Sequence, residues 1–100
     1  MAIEIIWSQE AVKTFDQNIQ YLFKEWSPKE VDRFLNQTDY VISRLQEHPE
    51  SFNPSLRIKK VRRARLNKYI TLYYRYSVQR KKILLLSFWN IKQDPSKLKY

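Results

Sequence analysis

The sequence predicts an α+β fold in which a two-helix hairpin packs on one face of a mainly antiparallel, four-stranded sheet. Two runs in the second half, residues 69–76 and 83–89, are rich in aromatic and branched aliphatic side chains, which is typical of strands. Two long stretches in the first half repeat apolar residues at three- and four-residue spacing, which is typical of amphipathic helices. The expected order of elements is therefore β-α-α-β-β-β.

The first half begins with a short strand, expected over residues 2–7, where apolar side chains fall on alternate positions. Ser8 is expected to cap the first helix, since a serine side chain accepts a hydrogen bond from the first helical turn. The apolar periodicity predicts that this helix ends near Trp26.

A second helix is expected to start at Ser27, because Ser27, Pro28 and Glu30 match the pattern of a capping box with proline in the first turn. His48 and Pro49 end it, since proline cannot continue a helix. The short connection between the two helices predicts that they run antiparallel.

In the second half, strand alternation divides residues 69–76 between two faces of the sheet. One face is expected to carry Ile70, Leu72, Tyr74 and Tyr76, and the other Tyr69, Thr71, Tyr73 and Arg75. Residues 83–86 are all aliphatic, which predicts a strand covered on both faces. The polar residues 77–82 between the two runs indicate a hairpin connection.

The flanking segments are less regular. Residues 50–55 have the composition of a loop, and the basic run 57–65 is expected to be an edge strand, since edges tolerate charge. The polar, basic residues 90–100 are expected to wrap the sheet edge.

The chain is long enough for one domain, expected over residues 1–100, with a modest hydrophobic core. The residues expected to stabilise that core are Phe15, Ile19, Leu22, Phe34, Leu35, Val41, Ile42, Leu45, Leu72, Leu84 and Leu86.

Composition excludes several kinds of site. The chain has no cysteine, which excludes disulfides and thiolate metal sites, and no glycine, which excludes glycine-rich phosphate loops. No apolar run reaches membrane-spanning length, and the N-terminus lacks the pattern of a signal peptide. A cytoplasmic protein without a membrane partner is expected.

Charge divides the chain unevenly. Residues 1–50 contain five basic and nine acidic side chains, whereas residues 51–100 contain fourteen basic and one acidic. This concentration of positive charge favours a polyanionic partner. The alternative is that the basic residues simply keep an exposed sheet edge soluble.

Several short motifs occur in a characteristic order along the chain. They are Trp7-Ser8 at the end of the first strand, Leu45 and Pro49 at the end of the helical hairpin, Tyr73-Tyr74-Arg75, Ser87-Phe88-Trp89, and Gln93-Asp94-Pro95 followed by Leu98. Together they resemble the RelE/ParE superfamily of toxins from bacterial type II toxin–antitoxin systems, over essentially the whole chain.

The resemblance implies a growth inhibitor that is neutralised by a cognate antitoxin. In this family the antitoxin lays a segment across the apolar surface of the toxin, and the complex binds operator DNA. The family uses no metal and no cofactor, so none is expected here.

The resemblance leaves two targets, since some members poison DNA gyrase by binding and others cut mRNA at the ribosome. The nucleases often have an arginine three residues before the strand tyrosine, where this chain has Thr71 before Tyr74. They also usually have an arginine directly before the glutamine, where this chain has Lys92 before Gln93. Because lysine cannot bind phosphate in bidentate fashion, the hypothesis favours gyrase. A ribosome-dependent mRNA endonuclease is the alternative, and a non-toxic basic RNA-binding module is a more distant one.

The basic residues of the second half are the candidates for target binding. They are Lys59, Lys60, Arg62, Arg63, Arg65, Arg75 and Lys92. If the chain is a nuclease, Arg75, Lys92 and Tyr100 are the catalytic candidates. His48 is expected to make only a helix-end contact.

Aromatic residues are expected to have packing roles first. Tyr69, Tyr73 and Tyr100 pack or, alternatively, stack on bases. Trp7, Trp26 and Trp89 belong to the core or to a groove for the antitoxin.

Overall fold

The computed structural model describes residues 3–93 and 95–100. The elements are β1 (Glu4–Trp7), α1 (Gln9–Glu25), α2 (Pro28–Glu47), β2 (Asn53–Pro54), β3 (Val61–Arg65), β4 (Ile70–Ser77), β5 (Lys82–Asn90) and a 3₁₀ turn (Pro95–Lys97). Ala2, predicted to open the first strand, and Asp94, part of the tail motif, lie outside the described residues.

The sheet has the strand order β1-β5-β4-β3-β2. β1 runs parallel to β5, and the other neighbouring pairs are antiparallel. The predicted α+β class, with a strand, two helices and then further strands, is confirmed. Two details were wrong. The segment expected to be loop contributes the two-residue strand β2, so the sheet has five strands instead of four and β2 lies at the edge outside β3. The basic strand expected from residue 57 begins only at Val61.

The helix starts differ in how they are capped. The Oγ of Ser8 accepts a hydrogen bond from the backbone N–H of Ala11 at 3.0 Å, as predicted. Ser27 makes no side-chain capping bond, so the expected capping box does not form. Only its carbonyl is used, which accepts from the backbone N–H of Glu30 at 3.0 Å. The start of α2 is therefore stabilised by proline in the first turn and by packing of the apolar face of the helix.

A β-bulge in β5 decides which side chains face the helices. Tyr73 lies opposite Ser87, but the next residue, Tyr74, lies opposite Leu85, so Leu86 is an extra residue. The alternation therefore shifts by one along β5. Ile83 and Leu85 face the helices before the bulge, and Phe88 takes that face after it.

The core lies between the helices and this face of the sheet. Its centre is an aromatic cluster in which the rings of Phe15 and Phe88 have centroids 5.2 Å apart, and Trp7 stacks on Phe88 at 5.4 Å. Phe34 and Leu45 are fully buried beside them. Such close contact between rings adds to the stability that apolar burial provides.

Three of the predicted core residues differ in the structure. Leu35 is 37% exposed, because it lies on the flank of α2. Leu84 and Leu86 are only half-buried, because Leu84 points to the uncovered face of the sheet and Leu86 occupies the bulge. β5, which was expected to be covered on both faces, is therefore covered by the helices on one face only.

Polar side chains of α1 attach the helix to β5 next to the bulge. The backbone N–H of Phe88 donates to Thr14 Oγ1 at 2.9 Å, and Asn18 Nδ2 donates to the carbonyl of Phe88 at 3.0 Å. Asn90 Nδ2 donates to Asn18 Oδ1 at 3.1 Å in the same buried site. These bonds satisfy polar groups that would be costly to bury alone.

Two turns use lysine in the left-handed backbone region. Lys60 has φ 67° and Lys81 has φ 51°. A side chain in this region costs free energy that glycine would avoid. The absence of glycine therefore did not prevent tight turns before β3 and β5.

Among the described residues, no helix is both long and apolar enough to cross a bilayer.

Candidate target-binding face

The face of the sheet opposite the helices carries a basic and aromatic surface, which we call the open face. β3 contributes Arg63 and Arg65, opposite Tyr73 and Thr71 of β4. Trp89 of β5 lies opposite Thr71 on the other side. These side chains line a groove of about 680 Å³ whose far wall includes Leu98.

The open face lacks compensating negative charge. In the described part of the chain, no carboxylate forms an ion pair with Arg63, Arg65 or Arg75. The Nε of Arg63 is buried and has no hydrogen-bond partner there. Because these arginine charges are not paired, the open face is suited to an anionic partner.

The C-terminal segment was predicted to wrap the sheet edge. In the structure it crosses the open face instead. The ring of Tyr100 stacks on Tyr73 with centroids 5.8 Å apart. On one side, Arg57 Nη1 donates to the carbonyl of Leu98 at 2.7 Å and Ser55 Oγ donates to the carbonyl of Tyr100.

The same segment is also attached to the first turn of α1, where Lys99 Nζ lies 3.2 Å from Glu10 Oε1. The hydrogen bond with this carboxylate, together with its charge, raises the pKa of Lys99. Partial burial, followed by the charge of Glu10, raises the pKa of the Tyr100 phenol above 10.0. Tyr100 is therefore neutral at physiological pH, and its phenol can donate a hydrogen bond.

Two of the candidate residues, Arg62 and Tyr69, lie away from the open face, and for Tyr69 this differs from the face expected from strand alternation. Arg62 faces the helix side, next to Tyr74, and its Nη1 donates to the carbonyl of Phe52 at 2.8 Å, so it holds the segment before β2. Tyr69 precedes the first residue of β4, so strand alternation does not apply to it, and it packs against Trp26 at the end of α1.

The other basic candidates lie at two places. Lys59 and Lys60 belong to the exposed loop before β3 and not to the strand. Lys60, Arg62 and Arg75 line a shallow groove at the β4–β5 turn, together with Glu50. The run of basic residues in the sequence is therefore divided between this groove and the open face.

The catalytic candidates do not converge. Tyr100 and Arg75 are close enough for the charge of Arg75 to act on the Tyr100 phenol. Lys92, in contrast, lies beyond the end of β5, with Nζ 5.7 Å from the ring of Tyr69. His48 caps the end of α2, as predicted, and its exposed side chain lies 4.0 Å from Glu47.

A second groove, of about 840 Å³, runs between α2 and the β3 side of the sheet, and we call it the α2 groove. Its rim carries Lys29, Arg33, Arg44 and Arg65 against Asp32. Apolar side chains line its floor and wall, namely Tyr40, Val41, Phe52 and Leu66. Tyr40 is 67% exposed, so its ring is accessible to a partner in this groove.

Sequence reasoning did not predict that Trp89 lies on the open face, and it missed the whole α2 groove. The bulge at Leu86 turns Trp89 toward the open face, and no glycine or other signal marks that bulge. The rim of the α2 groove does have a signal, because Lys29, Arg33, Tyr40 and Arg44 recur at multiples of helical spacing on one side of α2.

The sequence matches a known protein family over most of its length. The family model described as "ParE toxin of type II toxin-antitoxin system, parDE" matches residues 5–95. The chain therefore belongs to the ParE toxin family. No curated protein matches the sequence significantly.

Solved structures support the same fold. A chain from the chromosomal ParDE toxin–antitoxin system of P. aeruginosa superposes with a TM-score of 0.71 at 16% identity, covering 88% of this chain and 95% of that one. A chain of the RelBE2 toxin–antitoxin complex from Mycobacterium tuberculosis superposes with a TM-score of 0.61 at 13% identity, covering 90% of this chain and 99% of that one.

Proposed function

We propose that this toxin inhibits growth by binding DNA gyrase and that it acts without cutting RNA. The observation that carries the proposal is the separation of Lys92 from Arg75 and Tyr100. Cleavage of RNA by attack of its 2′-hydroxyl needs cations placed around one phosphate to stabilise the developing charge. With Lys92 directed to Tyr69, the three candidates do not surround one phosphate.

The open face is the surface proposed to contact the target. Arg63, Arg65 and Arg75 give it positive charge, and Trp89 and Tyr100, whose ring covers that of Tyr73, give it aromatic area. Arginine and aromatic side chains are the residue types that dominate binding energy at protein interfaces. Among the described residues, Arg63, Arg65 and Arg75 form no ion pair, which supports a partner with acidic groups on this face.

The α2 groove is the surface proposed to bind a cognate antitoxin in the cytoplasm. An exposed aromatic residue between basic rims fits an amphipathic helix with acidic flanks, because such a helix buries its apolar face and pairs its charges. We further propose that operator DNA is bound by the complex, since the toxin brings a strongly basic half.

One experiment separates the two targets. The toxin is induced in its host without antitoxin, and the DNA-damage response is recorded alongside mRNA cleavage mapped at ribosomes. We expect an early DNA-damage response without codon-phased cuts. Arg63→Ala should weaken growth inhibition, and Lys13→Ala, which removes an exposed lysine from α1, serves as its control.

Lys92→Ala distinguishes the mechanisms further. A binding toxin should retain its potency in this variant, because Lys92 lies away from the open face. A nuclease that uses Lys92 should lose about a hundredfold or more in rate. Codon-phased cleavage that disappears in Lys92→Ala would overturn the gyrase proposal, and growth without inhibition would favour a basic RNA-binding module instead.

A further inference from the structure

A further cavity lies at the end of the sheet where α1 meets α2, and it adjoins the α2 groove, with which it shares Arg33 and Gln37. It has a volume of about 290 Å³ and lies between the α1–α2 turn and the loop joining β3 to β4. Its lining includes Tyr21, Trp26, Lys68, Tyr69 and Lys92. We call it the end pocket.

The end pocket combines an exposed aromatic surface with positive charge. Trp26 is 52% exposed although it follows a helix that buries much of its apolar face. Its ring lies 6.1 Å from that of Tyr69 at an angle of 46°, so the two rings form an open wedge. Burial of so large an apolar surface would be favourable, which makes Trp26 a suitable platform for a planar ligand.

Two lysines converge on the same wedge. Lys68 Nζ lies 5.3 Å and Lys92 Nζ 5.7 Å from the centroid of the Tyr69 ring. Within residues 3–93 and 95–100, neither is in an ion pair. The acidic residue of the lining, Glu30, lies 3.5 Å from Arg33, so it does not neutralise the lysines.

Hydrogen bonds hold the pocket walls in place. Asn67 Oδ1 accepts from the backbone N–H groups of Tyr69 and Ile70 at 2.8 and 2.9 Å, and its Nδ2 donates to Gln37 Oε1 of α2 at 2.9 Å. The backbone N–H of Lys92 donates to Asn90 Oδ1 at 2.9 Å. Both lysines therefore extend from backbone that is already fixed, which reduces the entropy lost on binding.

We propose that the end pocket binds one phosphorylated nucleoside, with the base on Trp26 and the phosphate between Lys68 and Lys92. The cavity is too small for a helix, and its volume suits a single nucleotide. Stacking on an aromatic ring accepts any base, and the lysine ammonium groups bind phosphate as point charges. The nucleotide comes either from solution or from an unpaired position in a strand, and this site is independent of the gyrase proposal.

Titration by NMR tests the site, with the indole N–H signal of Trp26 as the readout. AMP and a short single-stranded oligodeoxyadenylate serve as probes, because they distinguish a free nucleotide from one in a strand. We expect the Trp26 signal to shift with at least one probe. Trp26→Ala, followed through backbone signals, should lower affinity about tenfold or more.

Matched controls separate the pocket from general basicity. Phe23→Ala removes another exposed aromatic residue from α1, and Lys13→Gln with Lys97→Gln removes two exposed lysines elsewhere. These controls should leave affinity nearly unchanged. Lys68→Gln with Lys92→Gln should weaken binding strongly and reduce the salt slope for the oligonucleotide by about 0.7 per lysine. This pair of lysine variants tests the site even if Trp26→Ala fails to fold.

Three results would overturn the inference. The first is an indole N–H signal of Trp26 that shifts with neither probe. The second is an equal loss of affinity in the control and pocket variants. The third is tighter binding of a glutamate-rich, phenylalanine-containing peptide that Trp26→Ala abolishes. The last result would assign the pocket to a protein partner. None of these measurements depends on growth inhibition, so the proposed function is tested separately.

Discussion

At the scale of single residues, Leu45 is the clearest test of the core. It has no exposed surface, and it lies near the end of α2 against the sheet. Leu45→Ala should lower the free energy of unfolding by about 2–5 kcal/mol, because it removes apolar contacts and leaves a cavity. Denaturant unfolding measures this change.

Leu56 provides the matched control for that substitution. It is 85% exposed, so Leu56→Ala should change the free energy of unfolding by less than about 0.5 kcal/mol. Equal effects of the two substitutions would contradict the assignment of Leu45 to the core.

Tyr74 links stability to alkaline pH. Burial raises the pKa of its phenol above 10.0, although the nearby charge of Arg62 opposes this, and the phenol donates a hydrogen bond to the carbonyl of Pro49 at 2.8 Å. Since the folded-state pKa exceeds the unfolded one, the contribution of the protonated phenol is complete below pH 10. It is lost progressively as pH rises toward the folded-state pKa.

Tyr74→Phe should therefore have two effects. At neutral pH it should lower the free energy of unfolding by about 0.5–1.5 kcal/mol, through loss of the hydrogen bond. Above pH 10 the variant should lose less stability with pH than the parent protein. Unfolding curves at pH 7, 9 and 10.5 make the comparison, and parallel pH profiles would exclude a role for Tyr74.

At the scale of elements, the two helix caps form a natural pair of variants. Ser8→Ala removes the bond to the Ala11 N–H and should cost about 0.5–2 kcal/mol. Ser27→Ala should cost much less, because the Ser27 side chain makes no capping bond. Thermal or denaturant unfolding of both variants checks the difference, and a larger effect at Ser27 would be inconsistent with the observed caps.

The elements also explain how far the sequence predicts this molecule. Apolar periodicity and the turn at Ser27 predict both helices, and the alternation of side chains predicts the faces of β4. Both signals depend on spacing that is local in the sequence. The bulge at Leu86 lies next to hydrogen bonds between α1 and the backbone of Phe88, and local spacing does not reveal contacts between residues so remote in sequence. The orientation of Trp89 was unpredictable for that reason.

The site was predicted less well than the fold. A run of basic residues does not reveal which side chains share a surface when only Val61–Arg65 within it forms a strand. Arg62 could be assigned to the helix side only after the register with Tyr74 was known. The position of Lys92 likewise depends on the chain leaving β5 toward Tyr69.

At the scale of the whole molecule, the two grooves predict separable phenotypes. Arg33→Glu with Arg44→Glu reverses charge on the rim of the α2 groove and should weaken antitoxin binding by about tenfold or more, since charges on that rim would then repel an acidic helix. Growth inhibition by the toxin alone should persist. Affinity measurements and growth assays with and without antitoxin test both expectations.

Lys13→Glu with Lys24→Glu makes the same change in charge on the exposed side of α1 and serves as the control. It should leave antitoxin affinity largely unchanged. A similar loss of affinity in this variant would assign the effect to total charge and not to the α2 groove.

The pairing of β1 with β5 also determines when the molecule can fold. Glu4 lies opposite Lys82 and Trp7 opposite Leu85, so β1 can pair with β5 only after both helices and β2 to β4 have been synthesised. Contacts this distant in sequence form late, because a long loop must close before they add stability. While the chain is still on the ribosome, the sheet is incomplete and its open face has no β5. The surface that we propose to bind the target therefore forms only once β5 has been synthesised and has paired with β4.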